Sequence, residues 1–147
     1  MLRDSIANDM REGMKSRDQS RVGTLRMLMA SVKNVEVERL HELSDDEVLE
    51  VIAREAKRRR ESIDAFAKGG RSDLVDKETA ELAVLEAYLP DRLSETELAA
   101  LVDQAIADTG ASSPKQMGEV MKALMPKLRG RADGSQVSAL VKVRLGA

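Results

Sequence analysis

Residues 113–137 read SPKQMGEVMKALMPKLRGRADGSQV, and their reading sets the fold class. Pro114 follows Ser113 at the position where a helix tolerates proline best, because the amide it lacks would be unpaired there anyway. Met117, Val120, Met121, Leu124 and Leu128 then recur at three- and four-residue spacing, the period of one helix face. The pattern breaks at Lys127-Leu-Arg-Gly-Arg-Ala-Asp-Gly134. It resumes with Val137, Leu140, Val141 and Leu145, behind Asp133 as a capping carboxylate. The stretch predicts two helices joined by a tight basic loop. Free amides and the helix dipole favour an anion at such a helix start. The loop can equally be an ordinary turn whose own Asp133 fills the anion position, and the residues alone leave both readings open.

Moving toward the N-terminus, Ser94-Glu-Thr-Glu97 has the form of a capping box. It predicts a helix to about Thr109, with Leu98, Leu101, Val102, Ala105 and Ile106 inward and Gly110 as its stop. Before it, Leu89-Pro90-Asp91 interrupts the pattern, since proline disfavours helix at the residue preceding it. A domain boundary is expected there. Residues 91–147 then form a three-helix C-terminal domain and residues 1–90 a four-helix N-terminal one, an all-α protein.

Within residues 1–90, Leu2, Ile6, Met10 and Met14 predict a first helix over about 2–16. Asp18 caps a second, about 20–40, with Val22, Leu25, Leu28, Met29, Val32 and Val35 on one side. Gly23 inside it predicts a close helix crossing, since a mid-helix glycine costs about 1 kcal/mol against alanine. Gly118 in the sixth helix is read the same way. Ser44-Asp-Asp-Glu47 is a second capping box, and its helix runs to Lys68 before Gly69-Gly70. Val48, Leu49, Ile52, Ala56, Ile63 and Phe66 make its buried stripe, and Arg59 falls on it. A fourth helix, about 72–88, returns antiparallel and brings Glu78 and Glu81 opposite Arg59, which predicts a sheltered ion pair.

Composition excludes several function classes. There is no cysteine and one histidine, His41, so thiolate zinc sites, cysteine nucleophiles and histidine-rich metal sites drop out. With Phe66 and Tyr88 as the only aromatics, no base-stacking platform is available. No phosphate-binding loop or dinucleotide fingerprint occurs, and no metal or organic cofactor is implied. Ser44, Ser94 and Ser113 read as caps without an activating base, and His41 as a solvated connector residue. No run reaches the roughly 20 apolar residues of a membrane span, and the expectation is a cytoplasmic protein without membrane contact.

Net charge is −2, yet its distribution is uneven. Residues 115–147 hold seven basic side chains against Glu119 and Asp133, a net of +5. Lys57-Arg-Arg-Arg60 is less of a patch than its letters suggest, because a helix fans consecutive side chains around its axis.

Several motifs converge on one family. Gly110-Ala111, Gln116-Met-Gly-Glu-Val-Met121, Arg129-Gly-Arg-Ala-Asp-Gly134, Val137 and Val141 to Leu145 resemble the GatB/YqeY family. Thr24-Leu-Arg26, Arg60-Glu-Ser62, Gly70-Arg71-Ser-Asp-Leu74 and Tyr88-Leu-Pro90 agree, so the resemblance spans the chain as a stand-alone YqeY-like protein. The C-terminal half is similar to the tail domain of the B subunit of the tRNA-dependent amidotransferase. That resemblance implies an accessory protein that binds tRNA or another structured RNA. The family's glutamine-dependent carbon–nitrogen ligase chemistry lies in domains this sequence does not contain. Carried over by position, the RNA-contact candidates are Lys122, Lys127, Arg129, Gly130, Arg131 and Lys142. An amidotransferase subunit or an aminoacyl-tRNA synthetase is the implied protein partner. The competing expectation is a protein–protein adaptor without nucleic-acid contact, which eight methionines would suit.

Overall fold

Good helix formers, punctuated by glycine, proline and capping serines, become helices almost where the pattern places them. The computed structural model describes residues 1–128 and 131–146. Among these run seven α-helices and no strand: α1 (Leu2–Lys15), α2 (Gln19–Arg39), α3 (Asp45–Lys68), α4 (Ser72–Glu86), α5 (Glu95–Thr109), α6 (Met117–Leu128) and α7 (Gly134–Arg144). The chain divides into two compact units, Met1–Leu89 and Pro90–Ala147.

The caps differ in completeness. At Ser44 the box closes: its Oγ accepts from the Glu47 amide, and the Glu47 carboxylate accepts from the Ser44 amide at 3.2 Å. At Ser94 only half forms. Ser94 Oγ accepts the Glu97 amide at 3.1 Å, but the Glu97 carboxylate takes the serine hydroxyl. Ser113 makes no side-chain cap. Pro114–Gln116 is a 3-10 turn ahead of α6, and Gln116 reaches back to accept from the Ser112 amide at 2.8 Å.

The first unit closes around Ile6 of α1, Leu25 and Leu28 of α2, Ile52 and Ala56 of α3, and Leu85 of α4. Leu43, in the α2–α3 connector, is buried as well. Three expectations need correction. Met14 is 47% exposed and does not continue the α1 stripe inward. Ile63 and Phe66 are only half-buried, because the buried part of α3 ends at Ala56. Val51 and Glu55, outside the expected stripe, are buried in their place.

Further along α3, Arg59 meets α4. Its Nε lies 2.9 Å from Glu81 and 3.4 Å from Glu78, and Nη1 lies 3.9 Å from Glu55. Neither Arg59 Nε nor Glu78 Oε2 makes a directed hydrogen bond. The attraction is therefore mainly coulombic, strengthened by partial exclusion of water. Glu55 also accepts from Ser31 Oγ and from Arg58, both at 3.3 Å, which ties α2 into the same cluster.

The close helix approach falls on a different glycine from the one expected. A Cβ added at Gly13 would sit 2.9 Å from Val22 Cγ2, so α1 and α2 touch there. Gly23 has no neighbouring atom within 4 Å of that position, and neither has Gly118. Glu36 supplies another tie: it pairs with Arg3 of α1 and accepts from the Leu43 amide at 2.9 Å. The amide bond, with help from Arg3, holds the Glu36 carboxyl below its usual range. Tyr88 donates its hydroxyl to Asp9, which also faces Arg21 at 3.5 Å. Burial, then the Asp9 carboxylate, push the Tyr88 hydroxyl pKa upward.

Two measurements check this packing. In urea unfolding, Gly13→Ala should lose about 1 kcal/mol, since crowding of the stiff Val22 outweighs the helix-propensity gain, whereas Gly23→Ala should gain up to about 1 kcal/mol. Because the Glu36 pKa is depressed, its stabilisation is present above the unfolded carboxylate value of about 4.3 and is lost as pH falls through the folded one. The melting temperature of Glu36→Gln should therefore fall less steeply than that of wild type through that acid window.

Candidate nucleic-acid interface

The second unit packs Leu98, Val102 and Ala105 of α5 against Val120, Leu124 and Leu128 of α6 and Val137 and Val141 of α7. With those faces inward, the remaining positions of α6 and α7 project to solvent, and Lys122, Lys127 and Lys142 are all exposed. They do not share one face. At 100° per residue, Lys122 lies about 140° around α6 from Lys127. Lys122 is nearly opposite the buried stripe, while Lys127 lies toward its edge. The basic window thus becomes a distributed surface.

Arg131 makes structural contacts within the unit. Its carbonyl accepts from the Leu93 amide at 2.9 Å, and its Nε donates to the Asp91 carbonyl at 3.3 Å. The half-buried arginine joins the loop before α7 to the entry into α5, within the same unit. Arg129 and Gly130, the other loop candidates, lie outside the described residues. Asp133 caps α7 by accepting from the Ser135 amide at 3.2 Å. A carboxylate therefore occupies the place where the bare helix end would have drawn an anion.

Charge also looks different once folded. Residues 90–147 hold eight basic and seven acidic side chains, a net of +1, because α5 and its approach are acidic. Arg144 is drawn to Asp103 of α5 at 3.2 Å. A 310 Å³ hollow between α5 and α7 is lined by Glu95, Leu98, Ala99, Gln136 and Leu140, a largely apolar wall whose one charge is negative. It does not suit a phosphate. Among the described residues, no group of histidine and carboxylate side chains could hold a metal ion. The contacts of Arg131 and Arg144 join residues some 40 positions apart, and no local signal announces them.

The family profile described as Yqey-like protein matches residues 3–145. The chain belongs to the YqeY-like family. Similar proteins include altered inheritance of mitochondria protein 41, mitochondrial, from three fungi. The Pyrenophora tritici-repentis protein is 29% identical over 142 residues, covering 95% of this chain and 78% of the relative. That of Lachancea thermotolerans is 32% identical over 117 residues, 76% of this chain and 63% of the relative. That of Eremothecium gossypii is 37% identical over 85 residues, 57% of this chain and 46% of the relative.

These names overturn the expectation of a cytoplasmic protein, since four relatives of this YqeY-like chain, these three among them, are named as mitochondrial. Among the described residues no helix is long and apolar enough to cross a membrane, an observation that fits several compartments equally and gave the sequence reading no power to choose.

The capping assignment in the YqeY-like C-terminal unit is open to a direct check. Asp133→Ala should cost about 1 kcal/mol, while Asp133→Asn retains most of the cap and loses only a few tenths. Urea unfolding followed by helical circular dichroism reads both.

Proposed function

We propose that this YqeY-like protein is a non-catalytic accessory factor whose C-terminal helical unit binds tRNA or another structured RNA in support of a tRNA-dependent amidotransferase. The observation that carries the reading is the set of exposed lysines on α6 and α7, Lys122, Lys127 and Lys142. They stand on helices whose other faces are committed to the core of the same unit. Lysines of this kind bind phosphate as mobile point charges, without the planar geometry that arginine imposes. Spread around a helix, they suit the shape of a folded RNA better than a single groove of a duplex. The similarity of the C-terminal half to the amidotransferase B-subunit tail supports tRNA over other polyanions. Within this reading Arg131 is a positioning residue of the loop, and the lysines make the phosphate contacts.

Such binding is electrostatic and weakens steeply with salt. The triple variant Lys122→Glu/Lys127→Glu/Lys142→Glu should lose at least tenfold in tRNA affinity by filter binding. The slope of log affinity against log salt should become shallower by about one for each phosphate contact removed. The same change at Lys15, Lys68 and Lys77, exposed residues of the first unit, should leave binding nearly intact. Equal losses in both triples, or none in the first, would overturn the assignment.

A further inference from the structure

The second helix is apolar on two sides. One side, with Leu25, Leu28 and Val32, is buried in the first unit. The other runs from Gly23 through Met27, Ala30 and Asn34 to Val37, positions that fall within about 80° of one another at 100° per residue. All five are exposed, Met27 at 55% and Val37 at 68%. Met27 and Val37 are the two large apolar side chains on this face, and apolar surface gathered on one face marks an interaction surface more often than the same residues scattered singly. At its N-terminal end the stripe opens into a groove of about 500 Å³, walled by Met14 and Val22 and edged by Arg17, Arg26 and Asp18, whose carboxylate already accepts from the Arg21 amide. Gly23 lines this groove without a side chain, and beyond its own stretch of helix no atom lies within 4 Å of where a Cβ would be. A helical glycine with no packing neighbour costs stability without a return inside the chain. Its return is the space it leaves.

Charge says what fits. Neither Arg17 nor Arg26 has a side-chain partner among the described residues, and Lys33 continues the positive edge along α2. Glu38 marks the other end of the stripe. The run from Gly23 to Val37 measures about 21 Å, the length of a four-turn helix. We infer that this face docks an amphipathic helix of a partner protein that carries carboxylates at one end. One apolar anchor of that helix enters the groove over Gly23, its carboxylates meet Arg17 and Arg26, and its remaining apolar residues lie along Met27 to Val37. Guanidinium groups pair with carboxylates in a planar two-point geometry, which fixes the direction of the incoming helix. The absence of any aromatic residue on this face disfavours stacked bases there. The surface belongs to the first unit and is independent of the lysines on α6 and α7.

The probe is a fluorescein-labelled peptide of about four helical turns, with leucine at i, i+4 and i+7 and two glutamates in its first turn. The full-length protein should raise its anisotropy saturably, and the same peptide with lysines for glutamates should bind at least tenfold more weakly. Met27→Asp and Gly23→Leu should each weaken binding at least tenfold while circular dichroism stays unchanged. Arg26→Glu should reverse the preference between the two peptides. Equal binding of both peptides, or indifference to all three substitutions, would overturn the proposal. So would a wild-type dimer in sedimentation that Met27→Asp dissolves, which would give the face to a second copy. Stronger capture by anionic vesicles than by the acidic peptide would give it to a lipid surface and overturn the proposal equally.

Discussion

A chain with one phenylalanine and one tyrosine must close its cores with aliphatic side chains, and that constraint shapes the rest of the structure. Aromatic rings span wide gaps between helices, whereas valine, leucine and alanine do not. The helices must therefore approach closely or leave voids, and voids cost stability. At the α1–α2 turn the solution is Gly13 against Val22. Between α3 and α4 the apolar core ends early, and the outer part of the hairpin is held by Arg59 among Glu55, Glu78 and Glu81. Such a cluster is weak evidence for net stability, because desolvation offsets much of the attraction. It does impose register: sliding α4 by one residue would carry both Glu78 and Glu81 away from the guanidinium.

The same constraint explains why the connectors are so heavily bonded. Each unit buries a modest core, and a small unit gains less from burial than a large one. The backbone junctions supply the remainder. Glu36 receives the Leu43 amide and Arg3 together, fastening the α2–α3 connector to α1. In the second unit Arg131 performs the matching task, with its carbonyl on Leu93 and its guanidinium on Asp91. Arg131 thereby ties the loop before α7 to the approach to α5.

Local chemistry was legible in the sequence, and long-range partnership largely was not. Ser44, Asp18 and Asp133 were readable as caps because the partner amide lies two or three residues away. Pro90 and Gly110 were readable because they act on their own backbone. The ion pair of Arg59 could be read because a two-glycine turn fixes the register of the hairpin around it. Gly23 and Gly118 were misread for the converse reason: whether a helical glycine faces a neighbour depends on the next helix, and nothing within the helix encodes it. The loop candidates suffered similarly. The contacts of Arg131 with residues 91–93 had no local signal. The net charge of residues 115–147 looked commanding until the acids of α5 joined the same unit.

Among the remaining lysines, helix electrostatics gives them unequal weight. Lys127 lies in the last turn of α6 and Lys142 in the last turn of α7. A cation there complements the partial negative charge of unpaired carbonyls and contributes about 0.3–1 kcal/mol to the helix itself. Both residues therefore have an explanation that needs no ligand. Lys122 has none of this kind. It stands in the middle of α6, nearly opposite the stripe of Val120, Leu124 and Leu128, with no place in the core. Of the three lysines, Lys122 is the one that lies outside the last turn of its helix, and it is the residue on which the RNA reading bears most directly.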